Sequence, residues 1–431
     1  MNRIFRAACA TTLLLFMAPG LRAAVAGERP SHSGATAAAA PEQDGASAPQ
    51  PDETSRFRIS GFATLGMVAT GSRDVRFIRP SVNHPGGENP DFGPDTVIGV
   101  HGDISLGARA ALVLQAISRE STLGSFDPRA SLAFVSYALT PNVTVRMGRV
   151  RVPFFMLSET IDINYANPWI RPPTEVYSLN PFNELDGIDF LVRTGIGGVN
   201  IEIHPYYGSS ILPIYQGGNS HLSNTRGLNI SVTAGSLTLF AGHTESEFAL
   251  KWSGNDFLAL SAALNAVTPN AANILGKLSG NDGFSTFSAL GAQWDDGRWL
   301  LIGEYTRLDS RRYTHDAHAW EVTVARRFGN FTPYLTLARH TEDKPVSTDM
   351  TGIPQIDDAL RAFIASRNLS QRSVTLGTRW DFYRNTALKL EFNHARISGE
   401  SWGSFFARDP MNARMRDRSI NTIGVSVDVT F

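Results

Sequence analysis

Apolar and polar residues trade places one for one through sixteen separate stretches of this chain, and that habit limits its fold more than any other feature. The last stretch, INTIGVSVDVTF (420–431), shows it plainly: Ile423, Val425, Val427, Val429 and Phe431 share one parity, and Thr422, Gly424, Ser426, Asp428 and Thr430 share the other. A period of two is a β-strand with one greasy face and one wet face. Most chains finish in a frayed polar tail. This one finishes inside a strand, on an aromatic, so Phe431 is expected to have a structural job.

The runs fall at 57–69, 96–104, 108–118, 130–139, 143–150, 188–195, 200–208 and 227–234, then at 237–245, 285–294, 299–308, 317–328, 331–340, 373–383, 387–397 and 420–431. Their connections alternate in length. Short turns rich in Gly, Asn, Asp and Pro fall at 105–107, 140–142, 196–198, 235–236, 295–297, 329–330 and 384–386. That composition is turn chemistry. Between them lie longer irregular segments. Short connections on one rim and long ones on the other describe a transmembrane barrel. In hydrocarbon every backbone N–H and C=O must be paired, so a sheet survives there only if it closes on itself. A soluble β-sandwich also alternates, but it needs neither an even strand count nor alternating connection lengths.

Parity then assigns the faces. Val374, Leu376 and Trp380 alternate with Thr375, Gly377, Arg379 and Asp381; Leu388, Leu390 and Phe392 alternate with Lys389, Glu391 and Asn393. Charges keep falling on one parity, which suits a wet lumen, and aromatics near strand ends (Phe57, Trp294, Trp299, Phe328, Phe331, Phe382, Tyr383) suit interfacial girdles.

The first 26 residues carry Arg3 and Arg6, a short apolar run from Thr12 to Ala18, and Ala24-Val25-Ala26, the layout of a cleaved secretory signal peptide. Residues 27–56, rich in Ala and Pro and free of aromatics, read as a disordered periplasmic leader before a barrel at 57–431. The single cysteine, Cys9, lies within the signal, so the mature chain is expected to lack disulfides and thiolate sites. Without the three signal arginines, 36 basic residues face 40 acidic ones, about −4, which offers nothing to nucleic acid.

With these features the chain resembles the Gram-negative outer-membrane porins of the sixteen-stranded, trimeric type. The resemblance implies an all-β antiparallel barrel with short periplasmic turns, long extracellular loops and an inward-folded third loop. It implies a homotrimer among outer-membrane lipid and no cofactor. It also implies that Phe431 serves as the signal read by the barrel assembly machinery, with the last strand closing against the one that starts at Phe57. The third long segment, 149–187, has the bulk and charge of a constriction loop and carries Glu159, Asp162, Arg171, Glu175 and Glu184. It lacks the short acidic tip associated with general-diffusion porins.

If parity holds, Arg58, Arg109, Arg146, Arg193 and Arg379 point inward, as do Asp189, Glu202, Glu304, Glu321, Asp381 and Glu391. Arg58, Arg109 and Arg379 are expected to form a basic wall opposite Glu159, Asp162 and Glu175, setting a transverse field across the narrowest point. The alternative is mutual neutralisation as lumen salt bridges. Segments 256–267 and 353–368 have helical spacing and belong to outer loops. His315 and His318, three residues apart at a strand boundary, have no reason to converge on a metal.

The expected activity is passive diffusion of small hydrophilic solutes and ions. A substrate-specific channel for a sugar, phosphate or carboxylate is the first rival. An outer-membrane enzyme is a weaker one, since no nucleophile motif is present and such barrels have fewer strands. An adhesin would need larger outer loops.

Overall fold

The computed structural model describes residues 56–79, 89–215, 217–407 and 418–431. The expected signal peptide, and the leader up to residue 55, lie outside the described residues. Sixteen strands close into one antiparallel barrel. They are β1 (Phe57–Thr70), β3 (Val97–Ser105), β4 (Ala110–Arg119), β5 (Arg129–Thr140), β6 (Val143–Arg151), β7 (Glu184–Ile196), β8 (Val199–Pro213) and β9 (Gly218–Ala234), followed by β10 (Leu237–Trp252), β11 (Gly280–Asp295), β12 (Trp299–Ser310), β13 (Asp316–Arg326), β14 (Phe331–Lys344), β15 (Gln371–Tyr383), β16 (Thr386–Ile397) and β18 (Arg418–Thr430). Two further short strands, β2 (Val75–Phe77) and β17 (Phe405–Ala407), pair with each other at the long-loop rim. Phe77 and Phe405 meet there edge to face at 5.8 Å.

The seam of the barrel joins β1 to β18 in unbroken register from Phe62↔Thr430 to Thr70↔Thr422. Phe431 extends it: its N–H donates to the Gly61 carbonyl at 2.9 Å, and the Gly61 N–H donates to the Phe431 carbonyl at 2.7 Å. Glycine at position 61 has a steric reason, because a Cβ there would lie 2.5 Å from the Phe431 ring. All seven expected short turns are present between consecutive barrel strands. At the β7–β8 turn Gly197 and Gly198 have φ of 58° and 82°, the left-handed pair that a two-residue hairpin requires.

Burial confirms the parity. Leu65, Leu335, Leu337, Val374, Leu376, Leu390, Phe392 and Ile423 form an exposed apolar belt around the outside, whereas Thr323, Thr336, Lys389, Glu391, Ser426 and Asp428 on the opposite parity are buried. So broad an apolar surface is foreign to a soluble monomer. Phe331 and Trp380 stack at 5.5 Å with near-parallel rings at the short-turn end of the belt.

The structure departs from the sequence reading at the long-loop rim. Strands β8 to β11 run well past the expected ends, so 209–226, read as loop, is mostly hairpin. The extra residues of β8 and β9, SSILP and GNSHLSNTR, hold no sustained alternation, and those of β10 put Phe248 and Leu250 inward, in the core with the third loop. Arg109, expected at the start of a strand, sits instead in the β3–β4 turn. Two expected helices are present as α2 (Asn255–Val267) and α4 (Pro354–Ala365), the latter ending short of 368. A helix not foreseen, α3 (Ala271–Leu278), joins them, and Leu260, Leu264, Ile274, Leu278 and Leu360 make a small core of their own above the barrel.

Candidate pore constriction

Between β6 and β7 the chain turns into the barrel and crosses it. Segment 152–183 contains only short helical turns (Ser158–Thr160, Asn164–Ala166 and α1, Thr174–Tyr177), so its shape is set by the wall rather than by its own hydrogen bonds. Glu304 on β12 takes the Met156 N–H at 2.9 Å and the Tyr177 hydroxyl at 2.8 Å, tying both limbs of the loop to one carboxylate. Asp162 is gripped from β4 and β6: Arg119 Nη1 and Arg151 Nη2 each donate to it at 2.6 Å. At the far side Asn164 donates to Thr64 of β1 at 3.2 Å, and Lys389 of β16 donates to the carbonyls of Asn164 (2.6 Å) and Trp169 (2.7 Å) while facing Asp428 at 2.9 Å.

The return limb is held as firmly. The Trp169 indole donates to Thr323 and Thr336, both at 3.1 Å. The Ile170 N–H reaches Glu391 at 2.8 Å, and Arg171 pairs with Asp95 and Glu391 while lying 4.5 Å over the Phe77 ring. Glu175 accepts from Gln371 at 2.7 Å, and His340 donates to the Glu175 carbonyl at 3.0 Å.

One side of the loop is dry. Phe154, Phe155, Leu157, Trp169, Val176 and Tyr177 pack on inward residues of β10 to β14. Phe154 and Phe155 both meet Phe287, at 5.7 and 5.2 Å. The wall makes room with small residues: Ala317, Ala319, Ala325 and Ala338 are buried there, and a Cβ on Gly291 would come within 2.8 Å of Met156 Sδ. Each buried phenylalanine contributes about 1.5–3 kcal/mol. The loop is therefore fixed by apolar burial on one side and by charged clamps around its rim. Burial alone would raise the Asp162 carboxyl, but the guanidiniums of Arg151 and Arg119 outweigh it and hold that carboxyl well below the usual carboxylate range.

Comparison with solved structures places this architecture. The chain superposes on an anion-selective porin from Comamonas acidovorans with a TM-score of 0.51 at 13% identity, over 87% of this chain and 99% of the other. OmpF of Salmonella typhi, solved with daunomycin, gives 0.50 at 12% identity over 87% and 97%. An outer-membrane OmpT of Vibrio cholerae gives 0.51 at 11% identity over 88% and 99%. The chain has the porin fold. No family model matches the sequence, and no curated protein does either.

Within that porin barrel the residues singled out from sequence separate into two groups. Asp162, Arg171 and Glu175 are buried anchors of the third loop. Arg379 is a further anchor: it pairs with Asp381, donates to the Asn167 carbonyl at 3.2 Å, and lies 4.5 Å over the Tyr165 ring. Arg146 chelates Asp189, with His204 at 2.9 Å from the same carboxylate, and Arg193 pairs with Glu202 at 2.8 Å. Glu159 and Arg58 are exposed, and Arg109 is exposed at the turn rim. The structure thus brings Asp162 to Arg119 and Arg151, Arg171 to Asp95, and Glu175 to Gln371. It does not bring Asp162 or Glu175 to Arg58 or Arg109. His315 turns to Glu342 and His318 to Asp343.

Sequence reasoning passed over Arg119, Arg151, Gln371 and Trp169. Lys389 was legible as inward, yet its role was not, because its partners are loop carbonyls that no pattern marks.

Proposed function

We propose that this protein is an outer-membrane channel for small hydrophilic solutes and ions, exported by a cleaved signal, with residues 152–183 setting the width of its pore. The carrying observation is that this segment spans the barrel from β6 to the β1–β18 seam and is clamped on both sides. The lumen residues it leaves exposed or half-exposed are polar and of both signs, among them Arg58, His101, Asp103, Glu159, Arg193, Glu202 and Asp381. Such a lining suits hydrated solutes and disfavours apolar ones. Phe431 is read as the assembly signal, and the resemblance extends the reading to a trimer.

The test is single-channel conductance of the purified protein in a planar bilayer across a salt gradient. Small steps in multiples of three support a trimeric channel, and the reversal potential gives the sign of its selectivity. Silence from protein that shifts on heating in a gel, the mark of a folded barrel, overturns the open channel.

A second reading is a solute-specific channel. The dry packing of the loop against β10 to β14 favours it, since less of the lumen is left as water. Saturable block by one solute class among sugars, phosphates and carboxylates separates it from passive diffusion.

A further inference from the structure

On the outer wall three arginines stand side by side. Arg339 of β14 is the register partner of Arg372 of β15, and Arg372 is the register partner of Arg396 of β16. All three are exposed on the lipid-facing parity, in line with Leu337, Val374 and Phe392. Among the described residues none has an ion-pair partner or a side-chain hydrogen bond. Like charges directly opposite each other across a sheet repel, so this row weakens the wall unless an anion joins it.

Its height is defined. Phe331, Trp380 and Leu388 are themselves register partners, and each lies eight residues along its strand from the corresponding arginine. At about 3.3 Å per residue that is about 26 Å of strand, or about 20 Å of height at a tilt of about 40°, close to the height of a porin's apolar band. The arginines therefore mark the upper edge of the belt. Trp320, the register partner of Arg339, and Tyr305 beside it are the aromatics expected at such an interface. A hollow of about 430 Å³ opens at the same place, lined by the three arginines with Asn368, Ser370 and Ser398. Glu342 also lines it, but that carboxylate is paired with His315.

We infer that this row is a binding site for the phosphate groups of a membrane lipid in the leaflet at the long-loop rim. Guanidinium forks match phosphate oxygens two at a time, and a phosphate monoester carries about two negative charges, enough to offset most of the row. A soluble anion would meet the same three forks, but the arginines project from the edge of an apolar wall. A head group anchored by acyl chains along Leu337, Val374 and Phe392 uses both features. The inference rests on the membrane reading of the barrel.

The test uses the full-length protein in vesicles containing a bisphosphorylated glycolipid, lipid A, or the same lipid after phosphatase treatment, followed by native mass spectrometry of retained lipid. The expected result is at least tenfold more lipid A on the wild type than on the Arg339→Gln, Arg372→Gln, Arg396→Gln triple variant, with treated lipid retained poorly by both. Equal retention of treated and untreated lipid, or by both proteins, overturns the site. Displacement of lipid A by millimolar inorganic phosphate overturns the lipid assignment in favour of a soluble anion. A disulfide between copies through Arg372→Cys overturns it in favour of a neighbouring subunit.

If the triple variant does not fold, Arg372→Gln alone suffices. It should melt higher than the wild type in phosphate-free detergent and lower in lipid A vesicles, and the absence of that reversal counts against the site. Failure of the wild type to float with any vesicle would instead overturn the membrane reading.

Discussion

Asp162 shows how much of this third loop depends on a single carboxylate. Two guanidiniums, each buried, point at it from different strands, and neither Arg119 nor Arg151 has another carboxylate in ion-pair contact among the described residues. Asp162→Ala leaves both charges unpaired in a dry place, a cost of about 3–5 kcal/mol. The expected outcome is a third loop that leaves its seat, read as larger and noisier single-channel steps with a lower melting temperature. The pH dependence follows from the sign of the shift. Because the folded carboxyl sits below its unfolded value of about 3.9, its contribution is fully present above that value and is lost only as pH falls further towards the folded one. Conductance changes traceable to this clamp should therefore be absent between pH 7 and 5 and begin only below about pH 4. Trp169→Phe tests a milder contact. It removes the indole N–H and the five-membered ring from a fully buried site, while Thr323 and Thr336 still bond each other at 2.7 Å, so the expected loss is about 1–3 kcal/mol, read as a drop in melting temperature.

At the scale of elements, the exposed apolar face made the strands legible. Every barrel strand needs one apolar face in hydrocarbon, so Val374, Leu376 and Leu390 revealed both their strands and their orientation. The inner face obeys no such rule. Phe134, Tyr206 and Phe287 point inward because a loop is there to cover them, and an apolar residue on the inner parity blurs alternation without saying what it meets. For the same reason Asp162 and Glu175 read as charges offered to a pore when each is spent on an anchor. The short strands Val75–Phe77 and Phe405–Ala407 are too brief to show any period. Replacing residues 154–182 with a short Gly/Ser linker should raise conductance several-fold while the barrel still shifts on heating. Unchanged conductance would place the narrowest point elsewhere, with the α2–α4 cap as the next candidate.

For the whole molecule, closure is what makes sixteen marginal strands one object. The ring has a single place where first meets last, and its end is finished by the Phe431 backbone pair with Gly61. Deleting Phe431 removes both of those bonds, and the expected outcome is a smaller folded fraction on gels with the inner contacts unchanged. Gly61→Val drives a side chain into the Phe431 ring and should lower the yield in the same way.

The far end of the third loop does not touch an arbitrary stretch of wall. Asn164 bonds Thr64 on the first strand, and Lys389, which holds the Asn164 carbonyl, also faces Asp428 on the last. The join between the first and last barrel strands is thus stitched from inside by the loop between β6 and β7. Seam and loop are therefore coupled: loosening the Asn164–Thr64 bond or the Lys389 hold would cost both the seat of the loop and the joint between the first and last barrel strands.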